Sequence, residues 1–157
     1  MLHEKLLNLK QTLAIAESLT GGLIATLYTN TPGTSKTLAE SIVCYSVASK
    51  IIRLGINPAT IHTFGLTSCQ VATEMAQNVR APLNTNWGLS ATGIAGSDGG
   101  NENNPVGTVA FAVAYNNRLW TEKIHFKQKT REKIRHAAAE FILHKTEECF
   151  DRWVLNS

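Results

Sequence analysis

Apolar residues recur along the chain with two different spacings, and these predict alternating helices and strands in its first half. The leucines near the N-terminus lie at roughly helical spacing, so a first helix is expected to run to about Lys10. The apolar run 12–16, which ends just before Ser18, is typical of a buried strand. The next helix is expected to open at residues 20–22 and to stop before Pro32.

The remaining elements follow from the same patterns. Further strands are predicted at residues 41–47, 87–91, 108–115 and 118–126. Helices are predicted at residues 48–54, 69–79 and 130–150, with a helical turn at 58–64. Ser68 is the expected N-cap of the helix that follows it, and Gly55 is expected to end the helix before it. A type I′ turn is predicted at Asn116-Asn117, because Asn tolerates positive φ.

The order of these elements predicts the fold class. Helices and strands alternate early and a hairpin comes late, which favours an α/β fold with three layers, α/β/α, and a mixed sheet covered by helices on both faces. The 157 residues contain no linker, repeat or low-complexity tract. We therefore expect a single domain over residues 1–157.

Composition narrows the possible partners. Hydrophobic residues make up 43% and charged residues 17%, which is typical of a globular protein. The net charge is only +3, and the basic residues cluster only at 123–135, so no nucleic-acid partner is predicted although an anionic small molecule fits. No segment approaches the roughly 18 consecutive apolar residues of a membrane span.

Cysteine and histidine usage predicts neither disulfides nor a metal site. Cys44, Cys69 and Cys149 are an odd number without metal-like spacing, so we expect reduced thiols. The first residues lack a signal-peptide pattern, and together these features predict a cytoplasmic protein. The five histidines do not stand near acidic or cysteine partners at ligand spacing. No metal and no cofactor is predicted.

The first segment that could carry chemistry is the strand-to-helix junction at residues 16–22. It places Ser18 beside Thr20, Gly21 and Gly22, where a helix start would present unpaired N–H groups and the positive end of its dipole. Such donors can hold a phosphate or a developing oxyanion next to the hydroxyl. Local sequence alone favours a simpler explanation, in which Ser18 or Thr20 only caps the helix, because such caps are common.

The second segment contains Tyr45, Ser46 and Lys50. A lysine can act as a general base when burial or a nearby cation lowers its pKa, and serine–lysine pairs use this to activate the hydroxyl. The alternative is that Lys50 is a solvated helix residue, because Lys is rarely buried.

The third segment is the glycine-rich loop at residues 92–100, which continues to Thr108. It lies at a predicted strand end, where open α/β sheets bind ligands, and its backbone amides can form an anion-binding nest. It matches neither the phosphate-binding loop nor the dinucleotide fingerprint, so ordinary turn chemistry is an open alternative. Its length favours a functional role.

Taken together, the three segments resemble the CinA C-terminal domain family, also known as nicotinamide-nucleotide amidase. The resemblance rests on Glu-Ser-x-Thr-Gly-Gly at 17–22, Tyr-Ser at 45–46 with Lys50, and Thr-Gly-Ile-Ala-Gly-x-x-Gly-Gly at 92–100 with Pro-Val-Gly-Thr at 105–108. It extends over nearly the whole chain. The resemblance implies hydrolysis of nicotinamide mononucleotide to nicotinate mononucleotide and ammonia, by a stand-alone domain that self-associates and needs no metal.

The resemblance also implies roles for individual residues. Ser18 would be the nucleophile, Lys50 its base, and Tyr45 would orient or polarise the pair. The substrate would be bound by Thr20, Gly21, Gly22, Thr92, Gly93, Gly96, Gly99, Gly100 and Arg131.

Three departures from the family pattern keep alternatives open. Ser41 stands where a glycine is usual, and Ser97 where a proline is common. The usual Phe-x-Gly-Asp-Arg before the last helix reads Phe-Lys-Gln-Lys-Thr-Arg at 126–131. The acidic residue is missing, Arg131 is kept, and Arg135 follows one helical turn later. Both arginines fit phosphate contact or a solvated helix face. A catalytically inactive paralogue that binds nucleotides or a protein partner, and an amidase for another carboxamide, are therefore alternative predictions.

Overall fold

A computed structural model describes residues 1–156 and shows a five-stranded mixed sheet between two layers of helices. The strands are β1 (Leu13–Glu17), β2 (Leu38–Val43), β3 (Trp87–Gly93), β4 (Thr108–Tyr115) and β5 (Arg118–His125). Their order in the sheet is β2-β1-β3-β4-β5, with β2, β1 and β3 parallel and β4 and β5 antiparallel to their neighbours. The predicted three-layer α/β/α fold with a mixed sheet is confirmed.

Six α-helices connect and cover the strands. They are α1 (Leu2–Asn8), α2 (Leu23–Thr29), α3 (Val47–Leu54), α4 (Pro58–Phe64), α5 (Cys69–Arg80) and α6 (Arg131–Phe150). A short 3-10 turn at Thr34–Lys36 precedes β2, and a π-helical turn at Asp151–Leu155 follows α6. None of the helices within residues 1–156 combines the length and the apolar character that crossing a bilayer requires.

The two faces of the sheet carry side chains of different size. The face toward α1, α2 and α6 is built from large residues, including Ile15, Leu89 and Phe111. On the opposite face α5 packs against β4 through alanines of both elements. Because small side chains let a helix approach the strands closely, α5 lies close against the sheet, and α3 and α4 pack on α5.

Two predicted elements differ clearly from the structure. The second strand was expected at 41–47, but β2 runs from Leu38 to Val43 and therefore begins three residues earlier and ends four residues earlier. It ends before Ser46 because Ser46 caps α3, its hydroxyl accepting from the Ser49 N–H. The helix expected from Thr20 begins only at Leu23, since Gly21 and Gly22 have φ of 57° and 97° and cannot be helical.

Other local predictions are confirmed with small shifts. Ser68 caps α5, Gly55 follows α3 in the left-handed conformation, and the predicted turn at 58–64 is the full helix α4. The hairpin connection consists of Asn116 and Asn117. Of the two residues in this turn, Asn116 has positive φ and Asn117 does not. The turn is therefore not the predicted type I′, which requires positive φ at both positions.

Candidate active site

The carboxyl ends of the three parallel strands meet at one edge of the sheet. Ser18 follows β1, Cys44 and Tyr45 follow β2, and the glycine-rich loop follows β3. These ends surround a cavity of about 250 Å³. It is lined by Ser18, Leu19, Tyr45, Lys50, Leu66, Thr67, Thr92, Gly93, Ile94, Ala95, Gly96, Asp98, Gly99 and Arg131. Ligand sites of open α/β sheets lie at such an edge.

Ser18 and Lys50 are in direct contact in this cavity. The Lys50 Nζ atom lies 2.8 Å from the Ser18 Oγ atom, and it also lies 2.9 Å from the Cys44 carbonyl oxygen and 3.4 Å from that of Tyr45. Lys50 is only 2% exposed, so the solvated-helix explanation of this residue is wrong. Burial lowers the pKa of Lys50 from the ordinary lysine value, which favours the neutral amine.

The start of α3 brings Lys50 to the serine. The Ser46 cap fixes the first turn of the helix, so Lys50 follows one turn later, facing the end of β1. Its Nζ atom donates to the carbonyl oxygens of Cys44 and Tyr45, the two residues that follow the end of β2. Two segments that are 32 residues apart in the sequence thus form one serine–lysine pair.

Glu17, the last residue of β1, is fully buried and caps α2. Its carboxylate accepts hydrogen bonds from the N–H groups of Gly22, Ile24 and Ala25 at 2.9, 3.1 and 3.0 Å, and from the Ser41 hydroxyl at 3.1 Å. The cap of this helix is therefore the carboxylate of Glu17, which lies five positions before the N-cap residue Gly22. Neither Ser18 nor Thr20 caps it.

This capping changes the expectation for residues 20–22. The N–H groups at the start of α2 were expected to face the ligand, but they are occupied by Glu17. Thr20, Gly21 and Gly22 do not line the cavity. Gly21 and Gly22 instead allow the tight turn after Ser18, which requires positive φ at both positions.

Tyr45 and Arg131 meet at the rim of the cavity. The Arg131 guanidinium donates to the Tyr45 hydroxyl at 2.6 Å and to the Gly96 carbonyl oxygen at 2.5 Å. The Tyr45 side chain is half exposed and makes no hydrogen bond to Ser18 or Lys50 in the described structure. Tyr45 contacts the pair through its backbone carbonyl oxygen, 3.4 Å from Lys50 Nζ, and not through its phenol.

The glycine-rich loop forms one wall of the cavity. Gly93, Gly96 and Gly99 line it, as does Thr92, whose hydroxyl donates to the Leu66 carbonyl oxygen at 3.0 Å. Gly100 lies outside this wall, in an adjoining open groove of the same loop. The loop thus brings four of its five predicted binding residues to the serine.

Arg135 also contacts the main chain near the serine. Its Nε and Nη2 atoms donate to the Leu19 and Thr20 carbonyl oxygens at 2.9 and 3.0 Å. The sequence allowed Arg135 either to be solvated or to bind phosphate. In the structure its guanidinium binds main-chain carbonyl oxygens instead.

Sequence reasoning did not assign a role to Glu17 or to the walls formed by Leu66 and Thr67. A carboxylate at the end of an apolar strand was a usable signal, because a buried charge requires several donors. Leu66 and Thr67 carry no local signal, since they reach the cavity only through the packing of the segment between α4 and α5. Cys44, Cys69 and Cys149 are free thiols, and no metal-binding cluster of His, Cys, Asp or Glu occurs within residues 1–156.

Comparison with known sequences and structures identifies similar proteins. The sequence model of the CinA C-terminal domain matches residues 1–150. A crystal structure of the competence/damage inducible protein CihA from Agrobacterium tumefaciens is similar with a TM-score of 0.90 and 31% identity, over 94% of this chain and 90% of that chain. A CinA superfamily protein from Escherichia coli gives a TM-score of 0.89 with 26% identity, over 94% and 86% of the two chains.

Two curated relatives are similar in sequence. A CinA-like protein from Shewanella sp. (strain ANA-3) is 42% identical over 138 residues, and the nicotinamide-nucleotide amidohydrolase PncC of Shewanella oneidensis is 41% identical over 138 residues. Each match covers 88% of this chain and 32% of the relative. The chain therefore spans about a third of the length of these relatives.

Proposed function

This chain belongs to the CinA C-terminal domain family, and on that premise we propose that it hydrolyses the carboxamide of nicotinamide mononucleotide, releasing nicotinate mononucleotide and ammonia. The name of the relative from Shewanella oneidensis supports this substrate. The observation that carries the proposal is the contact between the Lys50 amine and the Ser18 hydroxyl in a buried cavity.

The surroundings of Lys50 suit a general base. A neutral amine has two N–H donors and one lone pair. The carbonyl oxygens of Cys44 and Tyr45 accept the two N–H groups, which leaves the lone pair directed at the Ser18 hydroxyl. Burial favours this neutral form by lowering the pKa of Lys50.

In the proposed reaction, Ser18 Oγ attacks the carboxamide carbon while Lys50 takes the hydroxyl proton. The tetrahedral intermediate collapses by breaking the C–N bond, and Lys50 gives its proton to the departing ammonia. Water, deprotonated by the same amine, then attacks the acyl ester of Ser18. The second tetrahedral intermediate breaks the ester C–O bond, Lys50 returns its proton to Ser18 Oγ, and the acid product leaves and loses its proton to solvent. Lys50 is thus protonated in both tetrahedral intermediates and neutral again at the end of acylation and of deacylation.

Oxyanion stabilisation must come from donors other than the start of α2, since Glu17 occupies those. The N–H of Leu19, a residue that lines the cavity, has no partner among the hydrogen bonds of residues 1–156. Donors of this kind, held in place before the reaction, are worth several kcal/mol because they meet charge that develops only in the transition state.

The binding of the phosphate is assigned to the rim. Arg131 lines the cavity and carries a full positive charge at its mouth, where it now contacts Tyr45 and Gly96. A guanidinium binds phosphate with two parallel hydrogen bonds, so a substrate phosphate would exchange with these neutral partners.

The test is ammonia release from nicotinamide mononucleotide by the intact protein and by two variants. We expect Ser18→Ala and Lys50→Met each to lower kcat by a factor of about 10³ or more, since both act on the bond-making step. Ser35→Ala and Lys36→Met remove the same groups from exposed or remote positions and should retain full activity. Equal rates for the intact protein and Ser18→Ala would exclude the mechanism.

The changed segment at 127–130 favours a second candidate, a nucleotide-binding protein without turnover. This segment is a loop that ends in the α6 cap, where the Thr130 hydroxyl accepts from the Lys133 N–H, and it supplies no carboxylate before Arg131. Tight binding of the nucleotide without ammonia release would support this candidate. A screen of other carboxamides would identify a different amide substrate.

A further inference from the structure

Arg135 of α6 is the only side chain in the described structure that contacts the main-chain oxygens of the two residues after the serine. Its guanidinium is partly buried and bonds the Leu19 and Thr20 carbonyl oxygens at 2.9 and 3.0 Å. A cation held by two adjacent carbonyls restrains the peptide planes that they belong to.

Several other polar groups of this turn are paired, whereas the buried Thr20 hydroxyl has no hydrogen-bond partner within residues 1–156. The Ser18 N–H donates to the Ala91 carbonyl oxygen of β3, and the Gly21 N–H donates to the Ser18 carbonyl oxygen. The Glu17 carboxylate holds the first N–H groups of α2. Within residues 1–156, the N–H groups of Leu19 and Thr20 are left without a partner, although both residues are buried.

The geometry of a trans peptide links these free donors to the arginine. The C=O and N–H of one peptide group point in opposite directions. Because the Leu19 carbonyl points at Arg135 on α6, the Thr20 N–H points away from α6. The charge on Arg135 also polarises this peptide group, which makes its N–H a stronger donor.

From this arrangement, and resting on the hydrolysis proposed above, we propose that Arg135 is a positioning residue for the reaction. It fixes the carbonyl groups of Leu19 and Thr20, so that the turn after Ser18, including the free N–H of the cavity-lining Leu19, is oriented before the oxyanion forms. It acts through the backbone and does not touch the substrate. This role differs from that of Arg131, which faces the cavity itself.

Gly21 provides independent support for a close fit between this turn and the arginine. A Cβ atom at this position would lie 3.0 Å from the Arg135 Nη2 atom, so a side chain there would press on the guanidinium. A side chain at residue 21 would therefore require the guanidinium to shift by a few tenths of an ångström from its position beside the carbonyls.

The test separates kcat from KM in Arg135→Gln and Arg135→Lys. A donor that acts on the transition state alters kcat and leaves ground-state binding nearly unchanged. We expect Arg135→Gln to lower kcat by a factor of about 10 to 100, with KM within about threefold of the wild type. Arg135→Lys keeps the charge but cannot make both hydrogen bonds, so its kcat should lie between those of the wild type and Arg135→Gln.

Arg118→Gln is the matched control. Arg118 also donates to a main-chain oxygen, that of Trp153 at 2.6 Å, but it lies on β5 and does not line the cavity. Its kcat should equal that of the wild type. Added guanidinium should restore part of the kcat of Arg135→Ala, because it can occupy the vacated site, whereas a variant that is merely unstable would not respond.

A second readout keeps this proposal distinct from the proposed substrate. A fluorophosphonate forms a tetrahedral adduct with an activated serine and needs the same oxyanion donors, so its rate of labelling at Ser18 should fall by a factor of about 10 or more in Arg135→Gln. Slower labelling without any turnover of nicotinamide mononucleotide by the wild type would uphold the role of Arg135 and reject the substrate. Unchanged labelling and kcat in a folded Arg135→Gln would overturn the role, as would a loss confined to KM.

Discussion

At the scale of single residues, the site depends on two buried ionisable side chains. They are Glu17 at the end of β1 and Lys50 in the first turn of α3. Glu17 is fully buried, and four donors satisfy its carboxylate. Lys50 is 2% exposed and has no carboxylate within 4 Å in the described structure; its partners are a hydroxyl and two carbonyl oxygens. Neutral acceptors do not offset the loss of hydration of an ammonium, so Lys50 is destabilised as a cation.

The state of Lys50 predicts how the rate depends on pH. The protonated amine cannot accept the Ser18 proton, so kcat/KM should rise with pH as Lys50 becomes neutral. Because burial lowers the pKa of Lys50, the midpoint of this rise should lie below 10.5, the ordinary lysine value. Ammonia release measured from pH 6 to pH 10 tests this, with Lys50→Arg as an inactive control at every pH. A flat or falling profile would contradict the assignment.

Because the Glu17 carboxylate caps α2, replacing it is expected to lower the stability of the protein. Glu17→Gln keeps the shape, but its amide has one oxygen and places an NH₂ group against backbone N–H donors. We expect the free energy of unfolding to fall by about 2 to 4 kcal/mol, since buried donors are left unpaired. Urea unfolding measures it, and Glu140→Gln on the exposed face of α6 should change it by less than about 0.5 kcal/mol. Comparable effects at both positions would contradict the capping role.

At the scale of elements, the glycine-rich loop after β3 is shaped by two different constraints. Gly96 and Gly99 both have φ of 86°, which is costly for any residue with a side chain. A Cβ at Gly96 would overlap the Val106 side chain, whereas a Cβ at Gly99 would meet only the Ile94 Cγ2 atom at 3.7 Å. The two positions thus separate backbone strain from close packing.

The two alanine variants therefore form a matched pair. Gly99→Ala should cost about 1 to 2 kcal/mol, the penalty for the left-handed conformation. Gly96→Ala should cost about 2 kcal/mol more, because Val106 must also move, and kcat/KM should fall with it since Gly96 lines the cavity and accepts from Arg131. Thermal unfolding and amidase assays on both variants test this. Equal stability of the pair would show that Val106 does not constrain the loop.

At the scale of the whole molecule, the distance between α5 and the sheet is set by small residues. Gly88 of β3 lies under α5, and a Cβ there would overlap the Ala76 carbonyl oxygen. Since its φ is not in the left-handed region, alanine is allowed by the backbone and only the packing opposes it. The alanines of α5 and β4 continue the same close contact.

Gly88→Ala should therefore destabilise the protein by about 3 kcal/mol or more, because α5 must move as a unit away from β3. Gly65→Ala is the control, since no heavy atom lies within 4 Å of the added Cβ and only its positive φ is unfavourable. Chemical unfolding of both variants gives the comparison. A smaller loss for Gly88→Ala than for Gly65→Ala would contradict this account of the packing.

Elements with a strong local signal were predicted closely. The period of apolar residues and the caps at Ser68 and Gly55 gave α5 and the end of α3, because these depend on neighbours in sequence. The start of α2 and the end of β2 were displaced by several residues. The start of α2 depends on the positive φ of Gly21 and Gly22 and on the cap that Glu17 provides from the end of β1. The end of β2 depends on Ser46, which caps α3 although its sequence pattern fits a strand.

The sequence by itself determined the succession of elements, the fold class and the three segments that carry the family resemblance, since these are encoded in periodicity and in short motifs. Ser18 and Lys50 were named, but only the tertiary structure decided that they touch, because the contact depends on parallel pairing of β1 with β2. It also decided which donors are free. Hydrogen bonds saturate, so the partners taken by Glu17 and Arg135 leave Leu19 and Thr20 as the unoccupied donors beside the serine.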